Sequence, residues 1–274
     1  MIAVCMKWVD RRPEVDPLTG AVHTDVRTSG ASDADEAALE WALRIGQAWD
    51  VAVIAVTAGP PDADAMLRDA VAAGAARAVR IHVEVDAASE DVAASIVAVL
   101  SSDVSVVVCG AWSIDRGSGS VPAYLAARLD AAQALGLVSL SFESTPQIIE
   151  AERRLDRGRR ERLRVLAPAV VSVEGGSARL RRAALHQVLA ARTSEIEVHD
   201  PPSPLALAAA PIRTVPFRPR PRVLPAPSPE LSARERILSL SGALVDREPP
   251  RLVRLDPAAA ADELLAQLQA WGYR

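Results

Sequence analysis

Apolar and polar positions alternate in blocks along the first half of the chain. Four short apolar runs, Ile2–Trp8, Val51–Val56, Ala78–Val83 and Val104–Cys109, have the length of strands. Their nearly unbroken apolar character suits strands covered on both faces of a sheet. Between them lie segments with helical spacing. Ala38, Trp41, Ala42, Ile45 and Trp49 share one face, which Leu39 and Leu43 widen. Ser32 stands three residues before Asp35 in a helix-capping pattern, and Asp33, Asp35 and Glu36 crowd the first turn, where the helix dipole favours them. A second helix is predicted over Asp62–Ala73 with Gly74 closing it, and a third from a cap at Asp86–Glu90 to about Leu100. Strands alternating with helices in this way form a parallel sheet joined by right-handed crossovers. The expected fold is α/β, a doubly wound and mostly parallel sheet.

The pattern changes in the second half. Leu137–Phe142, Gln147–Ala151 and Glu161–Leu166 read as antiparallel strands, and Arg153–Arg160, with Gly158, reads as a solvated hairpin tip. Pro168–Val173 is a further strand. Ser177–Arg192 mixes Leu180, Leu185, Val188 and Leu189 with four arginines, a basic amphipathic segment that either lies on a partner or forms a surface helix of the same domain. From Asp200 the composition shifts. Pro201–Pro229 is rich in proline, arginine and alanine and reads as an extended arm, followed by two short apolar-periodic pieces, Leu231–Leu244 and Asp256–Trp271. The domain expectation is therefore 1–199 for the α/β domain and 200–274 for an arm and closing helix that reach a partner.

The stretch most suggestive of chemistry follows the fourth strand. Gly110-Ala111-Trp112-Ser113-Ile114-Asp115-Arg116-Gly117-Ser118-Gly119-Ser120 carries three glycines and three serines, with Pro122 placed for the first turn of a helix. Such a loop lets backbone N–H groups approach a ligand, and a helix N-terminus favours an anion, most commonly phosphate. The same spacing also fits an ordinary polar strand-to-helix connection. Neither a Walker pattern nor the Gly-x-Gly-x-x-Gly dinucleotide spacing is present. Arg12–Gly30 is a long polar loop, mobile or held by a ligand or partner. The small or polar strand ends at Cys5–Lys7, Thr57–Gly59 and Gly110–Ser120 are the places where an open parallel sheet binds ligands.

Composition narrows the possibilities. The chain has 274 residues, 50% of them hydrophobic but only 3% aromatic, so its core must be built from Ala, Val and Leu. A formal charge of −4 gives no general attraction to nucleic acid or membrane. The two cysteines, Cys5 and Cys109, lie in apolar runs, which argues against a disulfide framework and for a reducing compartment. No signal peptide or membrane-spanning run is evident, so the cytoplasm is expected. The four histidines are scattered, and no Cys/His spacing suggests a metal.

Several stretches taken together resemble the beta subunit of electron transfer flavoproteins. They are Ala3–Val9, Asp35–Arg44, Val56–Pro60, Leu67–Ala78 and Ser113–Gly119, joined by Pro168–Val173 and by Asp262–Leu268 with Gly272. The resemblance covers nearly the whole chain. It implies a Rossmann-like sheet of the adenine-nucleotide-binding type with antiparallel additions and an extended C-terminal arm. It also implies a heterodimer with an alpha subunit that holds most of the FAD, with AMP, or a second FAD at the same position, in the beta subunit. Carried over position by position, the nucleotide would meet Cys5, Ser32, Ala58, Gly110, Asp115, Arg116, Gly117, Ser118, Gly119, Ser120 and Val121. Leu185, with Val188 and Leu189, would anchor a dehydrogenase partner. Where family members carry Lys-Gln-Ala-Ile-Asp-Asp, this chain has Ala111–Arg116, and Arg116 favours an anion more than the family's carboxylate would. An arginine-, alanine- and proline-heavy composition is compatible with a mycofactocin-associated bacterial subgroup.

The implied function is that of an electron-carrier subunit without stand-alone catalysis, accepting electrons from dehydrogenases and passing them to a downstream acceptor. The alternative is an adenine-nucleotide-binding module or nucleotide-activating enzyme of the same sheet type without redox work. An activating enzyme would call for a phosphate loop near the N-terminus and acidic groups for a metal, and neither is evident.

Overall fold

The computed structural model describes residues 1–84, 87–143, 147–202, 226–241 and 252–271. The chain divides into two units, 1–217 and 218–274. Among the described residues of the first unit, nine strands form one sheet. In chain order they are β1 (Ile2–Cys5), β2 (Val53–Gly59), β3 (Arg77–His82), β4 (Val106–Gly110), β5 (Ala132–Phe142), β6 (Ile148–Arg154), β7 (Arg160–Leu166), β8 (Ala169–Val173) and β9 (Glu197–His199). Their order across the sheet is β7-β6-β5-β8-β4-β1-β2-β3-β9. The run from β5 to β9 is parallel throughout, and β6 and β7 add an antiparallel edge.

Helices cover both faces. α1 (Asp33–Trp49) and α2 (Asp64–Ala73) pack on one side with the short α5 (Leu185–Ala191), while α3 (Ser89–Val99) and α4 (Val121–Arg128) pack on the other. Alternation along β1 shows why both faces are apolar: Ile2 and Val4 join the α1 layer, Ala3 and Cys5 the opposite layer, and all four are buried. Alanines such as Ala37, Ala38, Ala42, Ala63 and Ala70 make up much of the first layer, so the helices can lie close to the sheet. Gly46 shows how close, because a Cβ there would stand 2.6 Å from Val53 Cγ2.

α1 has the expected cap. Ser32 Oγ accepts from the Asp35 N–H, and the Asp35 carboxylate accepts from the Ser32 N–H and hydroxyl. Several boundaries differ from the sequence reading. β1 stops at Cys5 rather than Trp8, because Trp8–Asp10 turns away to pair antiparallel with Ser29–Ala31. β2 runs on through Thr57-Ala58-Gly59, which pair with Arg80, Ile81 and His82 of β3 after β1 has ended, and Pro60 closes it. The loop expected over Arg12–Gly30 is tied down internally. The Asp10 carboxylate accepts from Thr28 Oγ1 at 2.6 Å and from the backbone N–H groups of Arg12 and Asp25, and these bonds hold its pKa below the usual carboxylate range.

β5 is longer than the predicted Leu137–Phe142. Its first half pairs in parallel with β8, and its second half turns antiparallel to β6, with a register shift between Glu152 and Arg153. β9 is a three-residue, largely exposed edge strand beside β3, too short and polar to announce itself in the pattern. The basic segment Ser177–Arg192 is helical only over Leu185–Ala191. The third helix begins at Ser89, and Asp86 of its expected cap lies outside the described residues.

The second unit contains α6 (Ala233–Ser241) and α7 (Pro257–Ala270). Ser232 and Glu235 cap α6 reciprocally, and the Asp256 carboxylate accepts from the Ala258 and Ala259 N–H groups to start α7. The apolar stripe of α7, Leu264, Leu265 and Leu268 with Trp271, is exposed. Most of the proline-rich arm, the end of the Leu231–Leu244 piece and Gly272 lie outside the described residues. Among the described residues no helix is long and apolar enough to cross a membrane.

Candidate functional site

β1 sits between β4 and β2, and the chain winds from it in two directions, through β2 and β3 on one side and through β4 and β8 on the other. The carboxyl ends of β1 and β4 therefore flank a point where strand order reverses, the place at which open α/β sheets bind ligands. A cleft of about 920 Å³, counted with its open mouth, lies there. Cys5, Ala58 and Cys109 line it from the strand ends, Ile96 and Val92 from α3, and the segment after β4 from above.

That segment is strapped across the cleft at two points. Lys7 Nζ, just past β1, bonds Asp115 Oδ2 at 2.6 Å and Ser113 Oγ at 3.4 Å. Burial pushes the Asp115 carboxyl up, but the bonds from Lys7 and Ser113 outweigh it and hold its pKa below the usual range. Arg116 Nη1 donates to the Ala87 carbonyl at 2.7 Å, on the far side of the cleft beyond β3. Between the straps and α4 the backbone takes left-handed turns at Gly117 (φ +64°) and Gly119 (φ +58°). The two differ in what surrounds them. A Cβ on Gly117 would meet nothing within 4 Å, whereas one on Gly119 would lie 2.5 Å from the Ala111 carbonyl oxygen. The loop thus folds back on itself at Gly119 as only glycine permits. Ser118 Oγ and Ser120 Oγ face each other at 3.1 Å, and Val121 and Pro122 open α4 toward the cleft.

Of the candidate nucleotide residues, Cys5, Ala58, Gly110, Arg116, Ser118, Gly119, Ser120 and Val121 converge on this cleft. Ser32, Asp115 and Gly117 do not line it. Ser32 is committed to the α1 cap, Asp115 to Lys7, and Gly117 turns the backbone outward. The sequence reading left out Asp35, Glu84 and Trp112, which do line the cleft. Asp35 is buried, and burial pushes its carboxyl up to about 6 against the lowering effect of Ser32 and Lys7. Its capping pattern was visible in sequence, but nothing in sequence placed that cap against the end of β4, where a Cβ on Gly110 would stand 3.1 Å from Asp35 Oδ1. Small side chains on the floor, a backbone that comes close at Gly119, the Ser118 and Ser120 hydroxyls, the Arg116 guanidinium and the α4 N-terminus behind them make a cradle suited to an anionic ligand.

The partner candidates lie elsewhere, on α5. Leu185 and Leu189 are exposed, Leu185 by 74%, and Val188 is half-buried. The chain leading to α5 is clamped to α1. The buried Glu40 carboxylate accepts from Arg181 N, Nε and Nη2 at 2.9–3.2 Å and from Arg44 Nε at 2.7 Å, while Trp41 Nε1 donates to Ser177 Oγ. This clamp was not anticipated, because Glu40 and Arg181 are remote in sequence.

An open, doubly wound α/β sheet with a cleft at its switch point and an antiparallel edge defines the class of protein. Comparison with known sequences then gives the family. Residues 20–204 match the Electron transfer flavoprotein domain. The chain is 31% identical over 208 residues to Protein FixA of Rhizobium meliloti (strain 1021), covering 72% of this chain and 71% of that protein. It is 29% identical to Electron transfer flavoprotein subunit beta of Methylophilus methylotrophus, over 60% of this chain and 64% of that one, and 29% identical to the protein of the same name from Bacillus subtilis (strain 168), over 72% and 77%. The chain belongs to the electron transfer flavoprotein beta-subunit family, and it is an electron transfer flavoprotein subunit.

Proposed function

We propose that this chain is the beta subunit of a cytoplasmic heterodimer in which an alpha subunit holds most of the redox-active FAD. That flavin would supply the redox chemistry between a dehydrogenase and a downstream acceptor, and this chain would offer α5, with Leu185, Val188 and Leu189, as the docking site for the dehydrogenase. This chain's own part is to bind, orient and present. It would hold an adenine nucleotide, AMP or a second FAD, in the cleft between β1 and β4, and it performs no catalysis alone. Residues 1–199 would form the nucleotide-binding domain and 200–274 the arm that contacts the alpha subunit.

The observation that carries the reading is the loop between β4 and α4. At Gly119 it folds back so tightly that a Cβ would stand 2.5 Å from the Ala111 carbonyl oxygen, and Arg116, Ser118 and Ser120 lie beside the cleft in front of the α4 N-terminus. Phosphate is the anion such a cradle selects. Exposed Leu264, Leu265, Leu268 and Trp271 on α7 favour a partner for the second unit. The test is to co-express the chain with the alpha-type subunit adjacent to it in the genome, denature the purified complex, and separate the released nucleotides by chromatography. FAD together with AMP, or FAD alone at two per heterodimer, is expected. A yellow complex that releases FAD at one per heterodimer and no other adenine nucleotide would refute nucleotide binding by this chain. A stable, colourless, monomeric chain indifferent to the alpha-type subunit would refute the heterodimer.

A further inference from the structure

Cys5 ends β1 and Cys109 stands one residue before the end of β4, and the two are direct partners in the parallel ladder between those strands. Both side chains belong to the layer that holds Ala3, Val56 and Val107, so they are neighbours on one face of the sheet. Aligned residues on adjacent strands lie about 4.8 Å apart, within the ~4.4–6.8 Å Cα separation that a disulfide bridges. Both are free thiols, and both reach the floor of the cleft at the switch point. They are also the only cysteines among the 274 residues of the chain. Two thiols placed side by side under an open cleft do not behave as isolated core cysteines, because a sulfur oxidised by anything entering the cleft has a second sulfur within reach.

We propose that Cys5 and Cys109 are a modification site, a dithiol that a low-molecular-weight disulfide entering the cleft converts to an intrachain disulfide. Cys5, the more exposed of the pair at 8% against 4%, reacts first. It loses its proton, its sulfur attacks one sulfur of the small disulfide, and one small thiol leaves, so that Cys5 carries a mixed disulfide. Cys109 then attacks the Cys5 sulfur and expels the second small thiol. In total, two protein thiols are oxidised to one disulfide, one small disulfide is reduced to two thiols, and the two protons pass from the cysteines to the departing sulfurs. The Cys5 thiol beside it, burial and the nearby Asp35 carboxylate all push the Cys109 thiol up, so Cys109 does not start the reaction. The product joins the carboxyl ends of β1 and β4 at the floor of the cleft. The inference rests on strand register and burial, and it holds whichever ligand the cleft takes.

The test uses the full chain purified with its partner subunit and dialysed against activated charcoal to clear the cleft. It is treated with oxidised glutathione under native conditions, remaining thiols are blocked with iodoacetamide, and the digest is read by mass spectrometry. Because tryptic cleavage places Cys5 in Met1–Lys7 and Cys109 in Ile81–Arg116, the expected result is a product joining these two peptides, two hydrogens lighter than their sum and abolished by dithiothreitol. In Cys109→Ala the second sulfur is missing, and Cys5 should accumulate as the glutathione mixed disulfide. The wild-type digest decides alone if that variant does not fold. Recovery of both wild-type cysteines as blocked thiols, or of glutathione on Cys5 without the joined product, overturns the proposal.

Discussion

Substituting alanine at Gly119 and, separately, at Gly117 tests whether the loop's close approach matters beyond its turns. Both residues have left-handed φ, which costs an L-residue about 1–2 kcal/mol. Gly117→Ala adds only that strain, because space around it is open. Gly119→Ala also drives a methyl to 2.5 Å from the Ala111 carbonyl oxygen. No rotamer relieves this contact, since it is with backbone, and Ala111 is itself pinned by its N–H to the Val173 carbonyl at 2.9 Å. Overpacking of this kind costs a further ~1–3 kcal/mol. For a chain of this size the difference is worth a further fall of about 2–12 °C in melting temperature beyond Gly117→Ala. The assay is thermal unfolding of the complex together with chromatography of released nucleotide. Gly119→Ala should lose nucleotide and stability together, and Gly117→Ala should retain nucleotide. Equal melting temperatures in the two variants, with wild-type nucleotide in both, would refute the role given to the fold-back.

Leu185→Ala should slow dehydrogenase-coupled flavin reduction by an amount equivalent to roughly 1–3 kcal/mol of binding while leaving melting temperature unchanged, since the side chain is exposed; a stability loss with normal reduction would show that it packs on its own domain instead. Glu40→Gln should destabilise the chain by roughly 2 kcal/mol by leaving the Arg181 guanidinium short of its charged acceptor, and an unchanged urea midpoint would contradict the clamp. Asp35 binds its proton more tightly folded, at about 6, than unfolded, at about 3.9. Its contribution therefore favours the fold below about pH 4 and is lost as pH rises through about 6, a difference of roughly 3 kcal/mol. Asp35→Asn, which keeps an acceptor for Ser32, should flatten stability across that window, and an unaltered pH profile in the variant would refute the assignment.

The local signals and the long-range ones fared differently in sequence. Ser32-x-x-Asp35, the apolar face of α1, Gly74 and the Pro122 helix start are decided within a few residues of chain, and each stands where the pattern put it. What depended on distant partners was misread or missed. The antiparallel half of β5 was legible, but its first half, Ala132 to Gly136, was missed because its parallel partner β8 lies some thirty residues onward. The glycine-rich loop was visible as a cradle, but its straps were not, since Lys7–Asp115 and Arg116–Ala87 join segments that only the sheet order brings together. Ser32, a nucleotide candidate in sequence, is buried, and its own helix uses both its hydroxyl and its N–H.

The clamp between α1 and the approach to α5 divides that approach into a root and a tip. The root, Ser177 and Arg181, is held by Trp41 and Glu40 of a helix already fixed by the core, and a Cβ on Gly175 would lie 2.9 Å from Asp33 Cβ. The tip, Leu185 to Leu189, is mostly exposed and carries little of the fold. Mutational drift is therefore cheap at the tip and dear at the root. Gene duplicates of this chain can acquire new surface chemistry on α5 while inheriting its position unchanged, and a segment exchanged between two such duplicates should function in its new host only if the cut falls on the tip side of Arg181.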